Sequence, residues 1–160
     1  MTKANIKIFR MTSLDTNTLL QLFARKCELL MQLRQFGVRQ YELIDTSDMN
    51  RLLSLLSAKQ KLLGEIQNIE RQLDPFRHES PESRVWASDE QRRQCAQLAE
   101  ACQRLLAEVM ETEKHGELQL ILRRDEAATR LQGVHQAIHA RAAYIQPNPA
   151  SFTQVDLSSE

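Results

Sequence analysis

Glycine and proline are scarce in this 160-residue chain, at four each, and aromatic residues make up only 5%. Turn-rich sheet proteins draw heavily on all of these, so the shortage points to long helices. Neither sign of charge is in surplus. The 21 basic and 21 acidic residues cancel, and a nucleic-acid binder would show a basic excess or stripe. No apolar run approaches the roughly 18 residues that suggest a membrane span, so no direct membrane insertion is expected. The opening MTKANIKIFRMTSLD lacks the continuous apolar segment of a secretory signal. Three cysteines, an odd number, form no disulfide pattern. They read as reduced, buried small hydrophobes, which places the chain in the cytoplasm.

What the sequence does have is leucine at helical spacing. In LLSLLSAKQKLLGEIQNIERQL (52–73), Leu55, Leu62 and Ile69 recur every seven residues, with Leu56 and Leu63 beside them. Leu52, Ile66 and Leu73 widen the stripe, and Lys59 is its one polar gap. Such a stripe means a helix packed on other helices. An earlier helix is expected from about Thr16 to Ile44, capped by Asp15 or Thr16, with a seam of Leu22, Leu29, Phe36 and Leu43 flanked by Phe23, Leu30 and Ile44. The turn-forming DTSD (45–48) joins it to the second helix, 48–73, making the two antiparallel neighbours.

Residues 74–88, DPFRHESPESRVWAS, read as a connection, because Pro75 and Pro81 are unsuited to a helix interior. Trp86 is expected to fold back on the end of the bundle. Ser88 and Gln91 form a capping box that opens a third helix from Asp89 to about Ile145. Its first half carries Cys95, Leu98, Cys102, Leu105, Leu106, Val109 and Met110 on one face. Its second half carries Leu120, Ile121, Ala127, Ala128, Leu131, Val134 and Ile138 in the same phase. Between them, ETEKHGE is polar, with Gly116 at a seam position, so the third helix is expected to be continuous or to bend or break near Gly116. The fold class is therefore all-α: an antiparallel bundle of three long helices with coiled-coil-like packing. Residues 1–14 read as a flexible lead-in, 15–145 as a single helical-bundle domain, and the tail 146–160 as disordered.

At 1.5 Å per residue, the first two helices span roughly 40 Å and the third roughly 85 Å. The hairpin covers only about half of the third. Either that helix folds back at Gly116 into a four-helix bundle, or its apolar stripe waits for a partner. Leu120, Ala127, Leu131, Val134 and Ile138 are the candidate partner-binding residues.

A search for chemistry finds no catalytic residues. His135 and His139 share a helix face, but Gln136 stands where a metalloprotease-type zinc site needs its glutamate. No Glu-x-x-His pair of a di-metal bundle is present. A phosphotransfer bundle is a disfavoured alternative, because none of His78, His115, His135 or His139 stands in a His-x-x-Lys-Gly context. No enzyme activity, metal or cofactor is expected.

The stretch LLSLLSAKQKLL (52–63), with its leucine pairs around Lys59-Gln60 and Asp48 in the turn before it, resembles the FlgN-type flagellar export chaperones. The helix order over residues 15–145 is similar too. In the segment Glu113-Lys114-His115-Gly116-Glu117, only the glycine agrees with that family. The resemblance implies a cytoplasmic chaperone of type III protein export and flagellum biogenesis. It would bind the amphipathic terminal helix of hook-associated proteins at the hook–filament junction and keep them export-competent. It leaves open contact with the flagellar export gate. The alternative class is a structural coiled-coil adaptor that self-associates, as a homo-oligomer, through its third helix.

Overall fold

The computed structural model describes residues 14–145. The expectations for residues 1–13 and 146–160 lie outside the described residues. Three long helices account for nearly all of the described chain: α1 (Thr16–Asp45), α2 (Met49–His78) and α3 (Asp89–Ile145), with a short 3-10 turn at Pro81–Ser83 between the last two. The described residues fall into two compact units divided between Leu120 and Ile121. The first contains α1, α2 and the leading part of α3; the second contains the rest of α3.

Local chemistry sets the ends of each helix. Asp15 accepts from the Asn17 backbone N–H at 3.0 Å and opens α1. At the other end, Ser47 adopts a left-handed conformation with φ 57°. This lets the Ser47 N–H donate to the Ile44 carbonyl at 3.2 Å and the Asp48 N–H donate to Leu43 at 3.1 Å. Two of the carbonyls orphaned by the helix end are thereby satisfied. Asp48 then caps α2 by accepting from the Arg51 N–H at 3.3 Å. The DTSD turn thus closes one helix and opens the next within four residues.

One difference from expectation lies at the far end of the hairpin. α2 runs through Pro75 to His78, five residues beyond the boundary read at Leu73. A proline inside a helix costs about 3 kcal/mol through its missing N–H and its clash with the preceding turn. Burial of Phe76 in the core, worth about 1.5–3 kcal/mol, offsets most of that. Arg77 braces the same turn through Asp74, at 2.9 Å, and through Glu70. Arg84 Nη2 returns from the connection to donate to the Phe76 carbonyl at 2.7 Å. Pro81 stands at the start of the 3-10 turn, where a missing N–H is harmless.

Trp86 packs partly buried against the core cluster of Leu19, Leu22, Leu73, Phe76 and Cys95, as the sequence suggested. Gln91 donates its backbone N–H to Ser88 Oγ at 3.1 Å, the first half of a capping box. Its side-chain oxygen accepts from the Ala87 N–H at 2.8 Å, one residue earlier than the usual reciprocal bond.

α1 packs closely on both α2 and α3. Against α2 it is antiparallel: Leu43 and Ile44 meet Leu52 and Leu55 near the turn, while Leu19 and Leu22 meet Leu73 and Phe76 at the other end. Against α3 it is parallel, at a nearly constant offset. Cys27 meets Cys102, 75 residues on, Arg34 meets Glu108, 74 on, and the Tyr41 carbonyl meets Gln119, 78 on. Because α1 contacts two neighbours, its buried face is wider than the single seam read from the sequence. Leu19, Cys27, Leu33, Gly37 and Gln40 are buried as well, whereas Phe36 is only half-buried.

α3 is one uninterrupted helix through Gly116. The fold-back into a four-helix bundle is therefore ruled out, and so is a break at that glycine. Gly116 sits at the seam for a different reason. It is buried, and a Cβ added there would lie 3.2 Å from the Gln40 amide nitrogen of α1. The missing side chain allows α3 to approach α1.

Candidate functional site

Leucine pairs give α2 two apolar rows. The row of Leu52, Leu55, Leu62 and Ile69 is buried against α1. The neighbouring row of Leu56, Leu63 and Ile66 is only half-buried. α3 repeats this arrangement: Cys95, Cys102 and Val109 are buried, while Leu106 and Met110 remain 42% and 65% exposed. Since α1 packs on both helices, the two uncovered rows face a common groove above it.

That groove has a volume of about 690 Å³ and lies wholly within the first unit. Leu30, Leu33 and Gln40 of α1 line its floor, and Leu56, Lys59, Leu63 and Ile66 of α2 line one wall. The α3 wall runs from Leu106, Val109 and Met110 to Leu120, interrupted by Glu113, Lys114 and Glu117. From Leu106 to Leu120, α3 rises about 21 Å, the length of about four helical turns. The volume falls within the 300–1,000 Å³ typical of ligand clefts, but the cleft is long, apolar and bordered by helices. A fourth helix fits such a site better than a compact small molecule.

A polar group stands in the middle of this surface. Lys59, the single polar gap in the α2 stripe, is 8% exposed. Its Nζ donates to Gln40 Oε1 of α1 at 3.1 Å and pairs with Glu113 of α3. One ammonium thus links all three helices. A buried ion pair adds little net stability, because desolvation cancels much of the attraction. What such a pair does fix is where its members stand. Outside the groove, Lys26 and Arg77 flank Glu70. Burial works against the Glu70 charge, yet those two cations outweigh it and hold its carboxyl below the usual range.

The cysteines line the α1–α3 and α2–α3 packing rather than the groove. Cys27 and Cys102 bring their sulfurs to 2.8 Å, well beyond a disulfide bond length, and both are free. Cys27 Sγ also donates to the Leu98 carbonyl at 3.3 Å, and Cys102 Sγ to that of Phe23 at 3.5 Å. Burial, then its hydrogen bond with Cys27, pushes the Cys102 thiol up to about 12, and burial raises Cys95 also. These thiols stay protonated and behave as small apolar groups. Spacing alone paired Cys95 with Cys102 on one helix face; the Cys27 contact, 75 residues away, left no periodic signal.

Of the candidate residues read from the sequence, Leu120 lines the groove. Ala127, Leu131, Val134 and Ile138 belong to the second unit, where every residue from Arg124 to Ile145 is exposed. The walls formed by Leu56, Leu63, Leu106 and Met110 were visible only as seam residues; nothing in the periodicity marked them as uncovered. His78, His115, His135 and His139 are all exposed helix residues. Among the described residues, no cluster of three or more His, Cys, Asp or Glu is placed to hold a metal ion, and no helix is long and apolar enough to cross a membrane.

Comparison of the chain with protein-family models, curated proteins and solved structures returns no match.

Proposed function

We propose that this protein is a helix-binding chaperone whose groove receives the amphipathic terminal helix of a client protein. The observation that carries the reading is the uncovered apolar groove between α2 and α3. Its floor is Leu30 and Leu33 with Gln40, and its α3 wall carries charges of both signs at Glu113, Lys114 and Glu117. An amphipathic helix complements that layout, since its apolar stripe enters while its flanking charges meet the wall. The resemblance around Lys59-Gln60 supplies the biological setting. In it, the clients are hook-associated proteins of the hook–filament junction, and the chaperone acts in the cytoplasm before type III export, in reach of the flagellar export gate.

The candidate residues Ala127, Leu131, Val134 and Ile138 form a second client contact in this reading. Their exposure is also the one observation that favours the adaptor alternative, in which this face pairs with a second copy of the chain. Solution mass separates the two. The chaperone reading expects a monomer that forms a one-to-one complex with a hook-associated protein. A stable dimer that ignores every such protein would replace it with the adaptor.

A further inference from the structure

Lys59 carries three N–H donors and uses two of them within the chain, one on Gln40 and one on Glu113. Glu113 uses Oε1 in that pair, and its second oxygen has no partner among the described residues. Lys59 and Glu113 both line the groove, so one donor and one acceptor remain uncommitted on neighbouring residues of its lining. Beneath a bound helix, water is excluded, and both groups must be met by that helix or remain unpaired.

We infer that the helix received by this groove carries a side-chain amide, Asn or Gln, at its central inward position, over Lys59. The inference rests on the groove being a helix-binding site and adds what that helix must present. An amide carbonyl accepts from the free Lys59 N–H, and its NH2 donates to the free Glu113 oxygen. A hydroxyl donates and accepts through a single oxygen and a neutral imidazole through nitrogens that point apart, whereas the amide sets its donor and acceptor on two neighbouring arms of one planar group. A carboxylate answers Lys59 but sets a second negative charge against Glu113. An aliphatic residue leaves both groups unpaired. A lysine adds a like charge to Lys59 and supplies no acceptor. The arrangement parallels a single buried asparagine in a coiled coil, which fixes register and partner choice.

The test uses a synthetic amphipathic helical peptide of about 18 residues with a leucine stripe, made in four versions that differ only at the central stripe position: Gln, Leu, Glu and Lys. Affinities for the full-length chain are measured by fluorescence anisotropy. The Gln peptide is expected to bind about tenfold tighter than the Leu peptide, the scale of a buried polar group left unpaired, with Glu and Lys weaker than Gln. With Lys59→Met, whose folding is checked by helical circular dichroism, the order of Gln and Leu reverses. Equal affinity across the four, or Glu or Leu binding tightest to the unaltered chain, overturns the amide inference and leaves the groove assignment standing. Failure of all four to bind removes the groove assignment itself, and the inference with it.

Discussion

Gly37 on α1 lies so close to Thr112 on α3 that a β-carbon added to it would sit 2.5 Å from the Thr112 methyl group. That threonine cannot easily turn aside. It is β-branched on a helix, and its hydroxyl already donates to the Glu108 carbonyl at 2.9 Å. The α1–α3 contact is therefore set by backbone approach at Gly37 and Gly116 as much as by apolar side chains.

Two glycines should consequently respond to alanine with opposite signs. At Gly64, nothing lies within 4 Å of an added β-carbon, and Gly64→Ala should stabilise by about 0.5–1 kcal/mol through helix propensity. At Gly37 the same gain is opposed by overpacking of about 1–3 kcal/mol, so Gly37→Ala should lower stability by about 1 kcal/mol. Removing the methyl with Thr112→Ser should recover the loss. Chemical denaturation of the three variants measures this, and a stabilising Gly37→Ala would show that the helices stand farther apart.

The buried thiols give a pH signature. The folded Cys102 thiol titrates near 12 against an ordinary 9.0, because burial and the Cys27 hydrogen bond disfavour the thiolate. A raised folded value contributes stability that is fully present below pH 9 and lost as the pH rises toward 12. The urea midpoint should therefore fall above pH 9, and Cys102→Ala should make that fall shallower. At pH 8 the native thiols should resist iodoacetamide, while the unfolded chain is alkylated at all three. Rapid native alkylation of Cys102 would contradict the packing.

Leu131 and Ile138 are 60% and 57% exposed. Leu131→Asp with Ile138→Asp should therefore leave the melting temperature of the free protein nearly unchanged, since exposed substitutions rarely exceed about 0.5 kcal/mol each. In the proposed function, the same variant binds a hook-associated protein more weakly. A large loss of thermal stability would mean that this face is covered in the free protein.

Much of the architecture was legible in the sequence, and particular residues show why the rest was not. Leu22, Leu29 and Leu43 mark α1, and Asp48 marks the start of α2, because period and capping are local properties. Pro75 misled because local cost was weighed without Phe76, whose burial depends on residues more than fifty positions away. Gly116 left a bend or a break open because a missing side chain looks the same whether a helix bends there or a neighbouring helix brings a side chain close, as Gln40 does. The groove was hidden for a related reason. Periodicity identifies the face on which Leu56, Leu106 and Met110 stand, but only tertiary packing shows that no helix of the first unit covers it. Lys59 was visible as an interruption, yet its role depends on Gln40 and Glu113 arriving from two other helices.

Binding of a client's terminal helix to the groove, with and without Leu106→Glu and Met110→Glu, tests the central claim most directly. Both positions are exposed in the free protein, so the double variant should keep its helix content and melting temperature. Two carboxylates in an apolar groove must be desolvated when a helix docks, which costs several kcal/mol. Titrating a labelled terminal helix of a hook-associated protein should give saturable binding to the unaltered chain and a loss of at least about a hundredfold with the double variant. Equal affinity for the two proteins would contradict the account.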